Sequence, residues 1–198
     1  MVNARLEATH GLGHGSQQLM DPNRPVRRWE LRMAGLQSVY KDTSNPLDRV
    51  EQIAHGHEWF IDRSAEDEVN MIVAAAWGDM SISIHWREDF ESLHIASSYD
   101  LKVPASRREE IGRLLSLINE QLYFGHFDLW RQDGSVLLRN SLILSGGARP
   151  TDAQCETLIR IAIETCERYF PSLQFVIWAG KSAEEAIQAS LLETVGEA

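Results

Sequence analysis

VPASRREEIGRLLSLINEQLYFGHFDLWRQDGSVLLRNSLIL, residues 103–144, encodes one helix, a stop and one hairpin, each signalled by different chemistry. Ser106 followed three residues later by Glu109 is the spacing of a capping box, in which each residue satisfies a free amide of the first turn. Ile111, Leu114, Leu115, Ile118 and Leu122 then recur at helical spacing and make one apolar face. Gly125 is placed to end the helix, because a stop in the left-handed region favours a residue without a Cβ. Phe127–Trp130 and Val136–Leu144 read as two strands, joined by a turn at Asp133-Gly134. The stretch specifies architecture and contains no reaction chemistry.

Upstream of it the period changes from helical to alternating. Asn45-Pro46 opens the folded body: Asn caps, Pro takes the first helical position, and Asp48 complements the positive helix end. Leu47, Val50, Ile53 and Ala54 form the face of this first helix, and His55-Gly56-His57 stops it. Four strands follow. Trp59–Asp62 is short, with a turn at Arg63–Glu66. Val69–Trp77 is apolar in both registers. Gly78-Asp79 turns, and Met80, Ile82, Ile84 and Trp86 then alternate with Ser81, Ser83 and His85. Arg87–Asp89 turns again, and Leu93–Leu101 alternates in the same way. Connections this short allow only an antiparallel meander.

Downstream, Gly146-Gly147 leads to a second capping box, Thr151 with Gln154, and a helix burying Cys155, Leu158, Ile159, Ala162, Cys166, Tyr169 and Phe170. Pro171 is expected to end it, Phe175–Trp178 to form a short strand, and Ser182 with Glu185 to cap a last helix through Leu192. The fold class is therefore α+β: an antiparallel sheet of six or seven strands, covered on one face by the central and third helices. Residues 45–198 form this domain. Residues 1–44 carry no sustained period and read as a mobile tail, in which His10 and His14 are too few to define a metal site.

Composition narrows the function classes. A domain of this length builds a core without metals or disulfides. The two cysteines, Cys155 and Cys166, lie eleven residues apart on one helix. That puts their Cα atoms roughly 16 Å apart at ~1.5 Å per residue, beyond the reach of a disulfide. Both read as buried thiols. The chain's net charge is −10, with six basic against four acidic residues in 1–44 and thirteen against twenty-five in 45–198. A body this acidic repels phosphate backbones, so no nucleic-acid partner is expected. No apolar run is long enough for a membrane span, and the N-terminus lacks a secretory pattern, which points to the cytoplasm.

Candidate chemistry is sparse. Gly146-Gly147 with Arg149 lacks the Lys-Ser/Thr of a phosphate loop. Glu66-Asp67-Glu68 reads as a solvated turn. His55 and His57 flank the first helix stop, and His126 follows Gly125; these three are the candidates for a small-ligand or metal-binding regulator. No G-x-S-x-G, H-E-x-x-H or C-x-x-C occurs. No catalytic residue, cofactor or metal ligand is assigned, and the chain reads as a non-enzyme.

EWFIDRSAEDEVNMIV (58–73), the meander ending DLKVP (100–104), LLSLINEQLYFGHFDLW (114–130) and FVIWAGKSAEEAIQASLLETVGEA (175–198) resemble the YbjN family of bacterial proteins. INEQLYFGHF is the most specific part, and the resemblance covers about residues 45–198. It implies a fold like that of type III secretion chaperones, a sensory-transduction regulator, a protein partner and no established catalytic residues. The expected strand and helix after Pro171 go beyond the minimal chaperone pattern. Six tryptophans are many for this length, and Trp77, Trp86, Trp130 and Trp178 lie on or beside strands. They are the candidate protein-interface residues, for a homodimer that leaves an apolar strip free for a client.

Overall fold

A computed structural model of the chain describes residues 45–195. The tail reading of residues 1–44, with His10 and His14, lies outside the described residues. Helix α1 spans Pro46–Gly56, and the Asn45 side chain accepts from the Leu47 amide at 3.0 Å. The strands β1 (Phe60–Ala65), β2 (Glu68–Ala75), β3 (Gly78–Arg87) and β4 (Ser92–Tyr99) follow as a meander. Then come α2 (Arg108–Asn119), β5 (His126–Leu129), β6 (Val136–Ile143), α3 (Asp152–Ile177) and α4 (Ala183–Val195). All strand pairs are antiparallel, in the order β1-β2-β3-β4-β6-β5. The fold is α+β with six strands among the described residues.

Alternation sorts the sheet into two faces. Val69, Met71 and Val73 of β2 point the same way as Met80, Ile82 and Ile84 of β3, Leu93 and Ile95 of β4, and Val136 and Leu138 of β6. All are buried. The helices cover this face: α1 lies on β1–β3, α3 on β4 and β6, and α2 on β5, with α4 packed on α2 and α3. The helical residues expected inside are inside, including Leu47, Val50, Ile111, Leu114, Ile118, Leu158 and Ile159. Fully burying such a side chain stabilises by about 1.5–3 kcal/mol. Cys155 and Cys166 are buried free thiols, which burial pushes up to about 11 and about 12 respectively.

Several local expectations are corrected. Among the described residues no seventh strand forms, and Pro171 does not end α3. The helix runs to Ile177, so Phe175–Trp178 lies in its last turn and C-cap rather than in a strand. A proline inside a helix cannot donate to the carbonyl four residues back, here that of Glu167. The Trp77 indole Nε1–H donates to that carbonyl at 2.9 Å, and the Glu167 carboxylate accepts from the Ala76 amide at 2.8 Å. The β2–β3 turn thus supplies the donor that Pro171 lacks. Past the proline, Leu173 and Val176 stay buried, and Ser172 Oγ meets Ser190 Oγ of α4 at 2.7 Å.

Ser106 does not build a capping box either. Residues Ala105–Arg107 form a 3-10 turn, with the Arg107 amide donating to the Pro104 carbonyl at 2.9 Å, so α2 starts one residue beyond it. Glu109 pairs instead with Arg113 at 2.7 Å. Helix α2 stops at Asn119, before Gly125. Gly125 is left-handed, with φ +72°, and a Cβ there would sit 2.6 Å from the Arg139 carbonyl oxygen. It is needed for the entry to β5, and Leu122 lies beyond the helix, half-buried. Strand β1 continues through Arg63–Ala65 to a turn at Glu66-Asp67, and the β2–β3 turn is at Ala76-Trp77, with Gly78 already in β3. The Thr151–Gln154 and Ser182–Glu185 capping boxes form as read.

Leu115 is 5% exposed on the inner face of α2. Leu115→Ala is expected to cost roughly 2–5 kcal/mol, transfer plus cavity, in urea unfolding. A loss below about 1 kcal/mol would mean that this face is not part of the core.

Candidate functional site

The face of the sheet that the described helices leave uncovered carries a row of ionisable groups. Cross-strand pairing places Glu68 of β2 opposite His85 of β3, His85 opposite His94 of β4, His94 opposite Ser141 of β6, and Arg139 of β6 opposite His126 of β5. Asp128 of β5 completes the row. The distances join the groups of β4, β6 and β5 into one network, beside a separate Glu68–His85 pair. His85 Nδ1 is 4.0 Å from the Glu68 carboxylate, and His94 Nδ1 is 3.1 Å from Ser141 Oγ. Arg139 Nε donates to His94 Nε2 at 3.4 Å, while its NH1 donates to Asp128 at 2.9 Å. His126 Nε2 lies 3.6 Å from the same Asp128 carboxylate.

An arginine that donates to an imidazole nitrogen requires that nitrogen to be unprotonated. His94 therefore holds its proton on Nδ1 and gives it to Ser141. Partial burial lowers its pKa below the ordinary 6.5, and the charges of Arg139, His85 and Arg87 lower it further. The bonded part of the row links polar side chains across three strands, β4, β6 and β5. Strand β2, read as apolar in both registers, turns Ile72 and Ala74 to this face beside Glu68 and Asn70.

The histidine candidates do not converge. His57 caps α1 and stacks on Trp59 with ring centroids 4.4 Å apart, His55 lies in the last turn of the same helix, and His126 opens β5 beside Asp128. Among the described residues no group of three or more His, Cys, Asp or Glu is placed to hold a metal ion. Beside His57, Gln52, Ile53, Gly56, Asp152 and Glu156 line an open hollow between α1 and the start of α3. Sequence reasoning passed over His85, His94, Arg139 and Asp128. Their signal was the alternation itself, which marks each as facing away from the core.

The four candidate tryptophans separate into two groups. Trp77 leaves the β2–β3 turn and Trp130 the β5–β6 turn, and the register puts both turns at the same end of the sheet. Trp178 caps α3 two residues before Gly180, which packs on the Arg107 guanidinium. Arg108 NH1 donates to the Arg131 carbonyl at 2.6 Å, so Trp178 and Trp130 flank this arginine pair. Trp77, Trp130 and Trp178 are 48%, 51% and 67% exposed. Trp86 pairs with Leu93 at the opposite end and packs partly into the core.

The lowered His94 pKa fixes the sign of a pH effect. Below about pH 6.5 the unfolded chain binds a proton that the folded chain resists. Stability linked to His94 is therefore complete above that value and declines as pH falls toward the folded pKa. His94→Gln is expected to flatten the loss of unfolding free energy between about pH 7 and about pH 5, measured by urea titration. An unchanged slope would remove His94 as its source.

Among the described residues no helix is long and apolar enough to cross a membrane. No curated protein matches the sequence significantly. A solved structure of YbjN from E. coli, described as "a putative transcription regulator", aligns over 66% of this chain and 90% of its own, with 13% identity and a TM-score of 0.46. Residues 46–175, which run from the first residue of α1 almost to the end of α3, match the YbjN family, "Putative bacterial sensory transduction regulator". That match spans more than half of the sequence, and the chain belongs to the YbjN family.

Proposed function

We propose that the protein is a non-catalytic regulatory module that acts by binding another protein, and that it is a homodimer. The observation that carries this reading is the exposure of three tryptophans, Trp77, Trp130 and Trp178, the first two on turns at the same end of the sheet. Exposed aromatic surface costs solubility unless a partner covers it, and aromatic residues concentrate at interface cores. One of the three is held by its surroundings: the Trp77 indole donates to the Glu167 carbonyl at 2.9 Å and its ring lies 6.3 Å from that of Phe170. Rigid anchors lose little entropy on binding. Trp86, half-buried at the far end, is left out of this surface. Membership of a family described as sensory-transduction regulators supports the regulatory part of the reading. The residues 1–44 are proposed to be a tail that the domain does not need for folding.

Light scattering coupled to size exclusion at micromolar concentration tests the dimer. The expected mass is about twice the chain's 22.4 kDa. Trp130→Ala with Trp178→Ala is expected to return the mass to that of one chain without lowering the thermal midpoint. A single-chain mass for the wild type at every concentration would reject the dimer, and partner binding would then need another surface.

A further inference from the structure

We propose that Asn119 is an edge guard: its carboxamide occupies the place where a further β-strand would pair with β5, and it keeps this edge closed to a second copy of the chain. The inference goes beyond the proposed partner-binding surface and does not depend on it.

Strand β5 is an outer strand of the sheet, with β6 as its neighbour. The unpaired amides and carbonyls of an outer strand are a template for pairing with another chain. In an antiparallel ladder, residues alternate between those bonded to the neighbour and those whose N–H and C=O point away from it. The Trp130 amide donates to the Ser135 carbonyl across the hairpin, which gives Asp128 and His126 the same inward sense. Phe127 and Leu129 therefore point outward, and these two residues are the whole template that a four-residue strand offers.

Asn119, the last residue of α2, fills the first of these positions. Its Oδ1 accepts from the Phe127 amide at 2.8 Å, and its Nδ2 donates to the Phe127 carbonyl at 3.1 Å. An asparagine amide has one acceptor and one donor at the spacing of a backbone pair. It reproduces the two bonds that an incoming strand would make. The Phe127 ring is buried and meets Tyr169 edge-on at 6.1 Å, so the strand cannot turn to release the contact.

A second copy is the occupant that fits the edge. Two β5 strands related by a two-fold axis at Asp128 would pair Phe127 with Leu129 of the other copy, and Leu129 with its Phe127. That register uses both outward positions and joins the sheets edge to edge. It also sets Asp128 against its own copy, a like-charge pair that opposes association. On the other outer strand, the Arg63 guanidinium donates to the Ala65 carbonyl at 3.2 Å and the Glu66 carbonyl at 2.8 Å, and the register of β1 shifts between Asp62 and Ala65. These bonds lie at the C-terminal end of β1 and in the turn that follows it.

Amide hydrogen exchange by NMR reads the guard directly. In the wild type the Phe127 amide is expected to be protected although it lies on an outer strand. In Asn119→Ala it should exchange about tenfold faster, while the His126 and Asp128 amides, bonded to β6, keep their rates. Asn119→Asp keeps the oxygen acceptor and should keep the Phe127 protection. Analytical ultracentrifugation of the double variant, Asn119→Ala with Asp128→Asn, should show mass above that of Asp128→Asn alone at equal concentration. Should Asn119→Ala fail to fold, the wild-type and Asn119→Asp exchange rates decide. An unprotected Phe127 amide in either protein overturns the proposal, as does Phe127 exchange unchanged by Asn119→Ala. Equal masses for Asp128→Asn with and without Asn119→Ala overturn the claim that the guard prevents self-pairing.

Discussion

The hydrogen bond from the Trp77 indole to the Glu167 carbonyl lets one helix span the whole domain. Pro171 leaves that carbonyl without its helical donor, and a hydrogen bond of this kind contributes about 1 kcal/mol. With the indole in place, α3 continues for 26 residues and buries Leu173 and Val176 as well as Leu158 and Ile159. The long α3 is what α1, α2 and α4 all pack against, and it lies across β4 and β6. A helix ending at Pro171 would leave α4 without its Ser172–Ser190 contact. The sheet and the helical layer are therefore joined by chemistry as well as by apolar contact, at the turn between β2 and β3.

Covering only one face of the sheet has consequences for function. The inner face is built of aliphatic side chains. The outer face carries the row of Glu68, His85, His94, Arg139, Asp128 and His126, in which Arg139 bonds across strands to His94 and Asp128. The exposed Trp77 and Trp130 lie on turns at one end of the sheet. On the proposed reading this end is the recognition surface, in keeping with a regulator family, and its chemistry is carried by several elements at once.

Much of this was legible in the sequence where the signal is local. Asn45-Pro46, Thr151 with Gln154, and Ser182 with Glu185 each satisfy amides within three residues, so spacing alone identifies them. The strict alternation of Met80, Ile82 and Ile84 marked the inner face of β3. What failed depended on distant partners. Pro171 reads as a stop because its rescue comes from Trp77, ninety residues upstream of Glu167. The apolar period at Tyr169, Phe170, Leu173 and Val176, which continues across the proline, was the overlooked sign. Ser106 was displaced by a 3-10 turn that begins at the extended Pro104. The outer row was illegible because the register across strands decides which polar residues meet: His94 and Arg139 are 45 residues apart.

A double-mutant cycle at Trp77 and Pro171 tests the central claim. Trp77→Phe removes the indole donor, and Pro171→Ala restores the helical one, so urea unfolding of the four proteins isolates the bond from the loss of ring volume. Trp77→Phe should cost about 1 kcal/mol more in the wild-type background than in the Pro171→Ala background, because only in the first is the Glu167 carbonyl left unmet. An equal cost in both backgrounds would contradict the account, and the continuity of α3 past Pro171 would then need another cause.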